Sequence, residues 1–151
     1  MDDRPVYKRP DWFTQHLFNP AVATLTRAGL SVLGSRVLRV RGRKSGLWRE
    51  TPVNLLALDG QHYLVAPRGE TQWVRNLRES GGGELRVGRR TQAFTAQEVD
   101  DDEKAAVLRA YLKRWRWEVG VFFGGVGPTS SEADLRAEAR HHPVFRLQLT
   151  S

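Results

Sequence analysis

At 151 residues the chain is long enough to bury a sizeable core and short for two domains, so one globular unit over 1–151 is expected. Its 24 Lys and Arg against 17 Asp and Glu leave a net charge of +7, which favours anionic partners: a phosphorylated cofactor, nucleic acid or an acidic membrane surface. With no Cys, a disulfide framework, a thiolate nucleophile and Cys-ligated metals are excluded, and no stretch approaches the roughly 18 apolar residues of a membrane span, so a cytoplasmic location is the expectation.

In chain order, residues 1–30 read as a helical N-terminal segment. Asp11 caps one or two helices that run to Gly29, with a break at Asn19-Pro20. Ser31–Arg41 reads as a strand, and Leu47–Asp59 as a second, long one. Asp59-Gly60 is a strong hairpin signal, so Gln61–Arg68 is expected to return antiparallel to the second strand. Thr71 caps a short helix through Glu79, ended by Gly81-Gly82-Gly83. Strands Glu84–Gly88 and Thr91–Val99 then pair across Gly88-Arg89, and Asp100–Arg114 makes an amphipathic helix with acids at its positive end. Trp115 to Pro128 gathers Trp, Phe and Gly and reads as a lid-like loop. A helix over Ser131–Arg140 and a strand over Val144–Leu149 close the chain. The expected class is mainly β with flanking helices (α+β): about six antiparallel strands closed into a small barrel, because closure removes exposed edges.

The chemistry concentrates between the first two strands. From Arg36 to Arg49 there are six basic side chains and no acidic one, and Gly42-Arg43-Lys44-Ser45-Gly46 puts part of that charge on a turn. Glycine amides and cationic heads together suit a phosphate or a carboxylate-rich tail. Ala66-Pro67-Arg68-Gly69 sets another cation on a tight turn, followed by a helix whose N-terminus is partially positive. If the second and third strands are hairpin neighbours, both turns face one cleft. The sequence has no Gly-x-Ser-x-Gly elbow, no His-Glu-x-x-His pair and no Walker loop, so no catalytic residue is named. His141-His142 reads as a structural or solvated pair, Asp100 to Glu103 as a helix start, and no metal site is expected.

Gly42-Arg43-Lys44-Ser45-Gly46 with Arg49, then Pro52-Val53, Asp59-Gly60, Val65-Ala66-x-Arg68-Gly69 and Trp73-x-x-Asn76-Leu77, resembles the deazaflavin-dependent nitroreductase family. The resemblance implies a split β-barrel of the FMN-binding type that binds coenzyme F420 and passes a hydride from it to an oxidised acceptor. It assigns Arg43, Lys44 and Arg49 to the phosphate and oligoglutamate tail, assisted by Arg68, with Ser45, Gly46, Ala66, Pro67 and Gly69 as further cofactor-binding residues of the two turns. Pro52, Val53, Trp73, Asn76 and Leu77 would border the bound cofactor. Trp115, Trp117, Phe122 and Phe123 are expected to face an apolar or aromatic acceptor such as a quinone, nitroaromatic or enone. FMN is the alternative cofactor, and a basic β-barrel that binds single-stranded nucleic acid is the rival of another class. The aromatics lie mainly outside the strands, so no nucleic acid is expected. Trp12, Phe13, Leu17 and Phe18 leave peripheral membrane contact at the inner face open, and a homodimer is open too.

Overall fold

The computed structural model describes residues 34–150; the expected N-terminal helices and the apolar group Trp12 to Phe18 lie outside them. Strands β1 (Ser35–Arg41), β2 (Trp48–Asn54), β3 (Leu56–Leu58) and β4 (Gln61–Val65) precede helix α1 (Gln72–Ser80). Strands β5 (Gly82–Val87) and β6 (Arg90–Glu98) follow. Helix α2 (Asp101–Val119) runs into a 3-10 turn at Gly120–Phe122, and α3 (Glu132–Ala139) and β7 (Val144–Leu149) complete the described chain.

The strands form one antiparallel sheet in the order β2-β1-β5-β6-β7-β4-β3. Strands β2 and β3 stand at opposite ends of that order, yet Leu55 alone separates them in sequence. A sheet whose two edges are joined by one residue must roll up, which gives the split barrel. This corrects the single long strand expected over Leu47–Asp59. At Leu55 the backbone amide donates to the Gly34 carbonyl at 3.0 Å, the last bond to the β1 side, and the next residues pair with β4 instead. Among the described residues the sheet therefore has seven strands, where about six were expected. The third strand stops at Val65, short of Arg68.

Both expected hairpins form. Asp59 and Gly60 both have positive φ (51° and 78°), the conformation whose twist matches paired strands, and Gly88 (61°) does this at the β5–β6 turn. Strand β5 starts at Gly82, two residues earlier than expected, because its glycines permit close strand approach: a Cβ on Gly83 would lie 2.4 Å from the Arg39 carbonyl oxygen.

Helix α2 begins where expected, with the Asp100 side chain accepting from the Glu103 amide at 2.9 Å. It continues past Arg114 to Val119, kinked at Trp115. Leu108, Leu112, Trp115 and Val119 recur at helical spacing and are all fully buried, so packing carries the helix through the segment expected to be a loop. Two clusters make up the core. Leu38, Val40, Leu64, Leu85, Phe94 and Phe145 fill the barrel with Val74 and Leu77 of α1. Outside it, Tyr63 and Val65 of β4 pack against α2 and α3. Leu64 and its two neighbours thus bury opposite faces of one strand. Among the described residues no helix is long and apolar enough to cross a membrane.

Candidate functional site

A cavity of about 530 Å³ opens between the β1–β2 turn, the free edge of β2, the turn after β4 and the start of α1. Both basic turns line it. Barrel closure through Leu55 brings them together, since β2 pairs with β1 and is not the hairpin partner of β4.

The cationic part is made by Arg43, Lys44, Arg49 and Arg68. Glu50 is the one carboxylate among the lining residues, and Arg39 (3.1 Å) and Arg86 (2.7 Å) already engage it. The cavity thus keeps a positive excess. The cations do different work. Arg43 is stapled to α1: its amide and Nη1 donate to Asn76 Oδ1 at 3.1 and 2.8 Å, and Nη1 also donates to Gln72 Oε1 at 2.9 Å. Asn76, buried in α1, therefore fixes the basic turn to the helix. Lys44 and Arg49 are exposed and make no ion pair or side-chain hydrogen bond to a described residue.

The glycines shape the turn rather than expose amides. Gly42 N donates to Leu47 O at 2.8 Å and Gly46 N to Gly42 O at 2.9 Å, so both are used internally. Gly46 takes a positive φ of 73°, and a Cβ on Gly42 would fall 2.8 Å from Ser45 Oγ. The spare amides lie at the N-terminus of α1, where the first intrahelical bond runs from Arg75 N to Thr71 O. Thr71 holds the N-cap position but makes no capping bond, and its Oγ1 is buried with no hydrogen-bond partner. No acidic residue occupies the first turn of this helix. An orphaned hydroxyl, with helix amides and two cations that have no partner among the described residues, fits a phosphate with further negative charge nearby.

The rest of the lining is largely apolar, with Pro52, Val53, Val65, Pro67 and Trp73 on its walls. The Gly42–Leu47 and Gly34–Leu55 bonds set the ladder register, so Arg49, Thr51 and Val53 bond to β1 while Trp48, Glu50, Pro52 and Asn54 direct their backbone groups away from it. Pro52 thus loses nothing by lacking an amide hydrogen. Tyr111 closes this end beside Asn54, whose Nδ2 donates to buried Glu118 Oε2 at 3.4 Å. Burial, with the Glu118 charge adding to it and an Asn54 hydrogen bond opposing it, pushes the Tyr111 phenol well above its usual range. Tyr111 stays protonated at physiological pH.

Of the residues assigned to the cofactor, Arg43, Lys44, Ser45, Arg49, Pro52 and Val53 line the cavity, as do Pro67, Arg68, Trp73 and Asn76. Gly46, Ala66, Gly69 and Leu77 do not; Ala66 and Leu77 belong to the core beneath. The four aromatics expected on the acceptor side are elsewhere. Trp115 and Phe123 are fully buried in the cluster under α2, Phe122 packs against that cluster, and Trp117 is 59% exposed. Asn54, Thr71, Gln72 and Tyr111 line the cavity without having been singled out as site residues; Thr71 followed by Gln72 was legible only as a helix start. His142 is buried and Nε2 lies 2.6 Å from Glu138 Oε2, a structural pairing.

Comparison with known proteins gives a family and a fold. The model of the F420H(2)-dependent quinone reductase family matches residues 21–117. The fold is similar to that of an F420-H2 dependent reductase, FDR-A (TM-score 0.52, 16% identity, over 76% of this chain and 94% of that one). It is also similar to a structure described as a domain-swapped dimer (0.55, 15%, 87% and 96%). A third likeness is to a conserved hypothetical protein from Mycobacterium tuberculosis (0.51, 16%, 88% and 81%). No curated protein matches the chain. The family match covers more than half of the chain and takes in both basic turns, the β2 edge and α1, and the chain therefore belongs to the F420H(2)-dependent quinone reductase family, oxidoreductases that use the reduced deazaflavin F420.

Proposed function

We propose that the cavity holds F420 with its anionic end on Lys44, Arg49, Arg68 and the N-terminus of α1, and its ring against the β2 edge. The protein then reduces an apolar or aromatic acceptor such as a quinone, nitroaromatic or enone. The observation that supports this reading is the division of one cavity into a cationic part with an orphaned Thr71 hydroxyl and an apolar part walled by Pro52, Val53, Trp73 and Tyr111.

When bound, the reduced deazaflavin supplies the hydride; the chain supplies position and a water-poor pocket. Backbone groups of Glu50 and Asn54 offer a planar heterocycle a row of donors and acceptors. Pro52 and Val53 give it an apolar rest. The neutral Tyr111 phenol and the Asn54 amide are the polar groups at the ring end, with the Glu118 carboxylate behind them accepting from Asn54 Nδ2.

Parallel titrations with F420 and FMN test the cofactor half, with tighter binding of F420 expected. Equal or tighter binding of FMN overturns it. Oxidation of the reduced deazaflavin, followed by its absorbance with a quinone, a nitroaromatic and an enone, tests the acceptor half. Turnover with none of the three overturns that.

A further inference from the structure

The turn that carries Arg68 into the cavity is fixed from behind by a buried histidine. The Ala66 carbonyl opens this turn and accepts from two donors, the Gly69 amide and His142 Nδ1, each at 3.2 Å. Its own amide donates to Pro143 O at 2.9 Å. Pro67 has no amide hydrogen, and Gly69 takes a positive φ of 83° to complete the turn. His142 is 2% exposed, stacks on Phe123 with ring centroids 4.1 Å apart, and meets Glu138 Oε2 through Nε2 at 2.6 Å.

A carbonyl oxygen only accepts, so Nδ1 carries a hydrogen. Nε2 and the Glu138 carboxyl then share one proton, and the pair has no net charge wherever that proton sits. As a stabilising device such a pair has little to recommend it, since apolar residues of similar volume commonly hold a core as well. What a polar pair adds is direction. This one aims a single donor at the carbonyl that begins the Arg68 turn, one residue before the cavity wall.

We propose that His142, oriented by Glu138, is a positioning residue: its bond to the Ala66 carbonyl sets the turn that presents Arg68 to the anionic part of the cofactor. The inference rests on the reading of Arg68 as a contact to that part. It predicts a loss confined to ligands that carry the negative charge.

The two ring nitrogens are separable by substitution. An Asn amide reaches about as far as Nδ1 and can keep the bond to Ala66, whereas a Gln amide reaches Nε2 and keeps Glu138 while leaving Ala66 without its second donor. The test measures the affinities of F420 and of the same deazaflavin cut off before its phosphate, and takes their ratio, which does not depend on the folded fraction. His142→Gln is expected to lower the preference for intact F420 by about as much as Arg68→Ala, on the order of five- to tenfold for one charge-assisted contact. His142→Asn should stay within about twofold of the wild type, because a retained hydrogen bond leaves the turn in place. The double variant Arg68→Ala/His142→Gln should bind no worse than Arg68→Ala alone. Should His142→Gln not fold, His142→Leu/Glu138→Leu removes the donor without stranding a buried carboxylate, and the same loss of preference is expected. A preference unchanged in His142→Gln or in the Leu pair, or additive losses in the double variant, overturns the positioning role. Absence of any preference in the wild type overturns the tail reading, and this inference with it.

Discussion

Arg43 and Lys44 are adjacent and carry the same charge, yet the structure separates what their removal will do. Arg43 Nη1 donates to Asn76 and Gln72 at 2.8 and 2.9 Å and ties the basic turn to α1. Arg43→Ala removes those two bonds and leaves the buried Asn76 with only the turn's amide. At a part-exposed site that loss is about 1–2 kcal/mol. For a chain of this length it corresponds to a fall in Tm of roughly 3–6 °C. Lys44 holds nothing within the described protein, so Lys44→Ala should leave Tm within about 1 °C, as for a surface change with no partner. Its effect belongs to the ligand: a five- to tenfold rise in the F420 Kd, about 1–1.4 kcal/mol, for a charge-assisted contact weakened by exposure. That rise should shrink towards nothing near 1 M salt, where the screening length is about 3 Å. Differential scanning fluorimetry of the unliganded variants and F420 titrations at low and high salt check both halves. A Lys44→Ala protein with wild-type affinity at low salt, or an Arg43→Ala protein with unchanged Tm, refutes this division of roles.

Trp115→Ala and Phe123→Ala should each cost about 3–5 kcal/mol of stability and lower turnover of all acceptors in proportion to the folded fraction, whereas exposed Trp117→Ala should stay within about 0.5 kcal/mol; thermal unfolding beside kinetics with three acceptors checks this. Gly83→Ala should destabilise by about 1–3 kcal/mol, because its Cβ meets backbone rather than a movable side chain, and chemical denaturation reads the loss. The Glu70 carboxyl is held below its usual value of 4.5, first by its hydrogen bond to Arg78, so the stability it contributes is present above about pH 4.5 and lost as the pH falls through its lower folded value. Arg78→Ala should therefore flatten the acid side of a Tm-against-pH curve, and a curve parallel to that of the wild type speaks against the pairing.

What was legible in the sequence was what local chemistry dictates. Asp59-Gly60 and Gly88-Arg89 turn where they were expected to because their backbone needs positive φ, and Asp100 and Ser131 cap their helices through their own side chains. The break at Leu55 carried no such mark. Apart from Asn54 the run from Val53 to Leu58 is apolar, and no glycine or proline interrupts it after Pro52; the strand ends because its two halves find different neighbours. That is a tertiary fact. The length of α2 was legible in the stripe Leu108, Leu112, Trp115 and Val119, but the density of Trp, Phe and Gly from Trp115 onward outweighed the periodicity. In the site, charge and motif pointed to the two turns that line the cavity. They could not tell a cation that staples the turn from one without a partner among the described residues, since what lies opposite Arg43 and Lys44 is set by the tertiary fold.

That distinction also bears on where part of the net charge of +7 falls. Arg39, Arg78, Arg86, Arg136 and Arg146 are matched by carboxylates, mostly across strands or between helix and sheet, at 2.6–3.5 Å. These pairs are partly exposed and individually weak; their effect is to leave little unbalanced charge on the barrel wall. Lys44 and Arg49 have no such match among the described residues, and the one carboxylate that lines their cavity is held by Arg39 and Arg86 on the wall. Like charges gathered in a cleft repel one another until an anion enters, so a polyanionic ligand relieves a cost the unliganded fold already carries. A neutral ring of the same shape relieves none of it. On the proposed reading of the cavity, the cationic part selects for the charge of the cofactor, while the β2 edge and the apolar walls select for the shape of its ring.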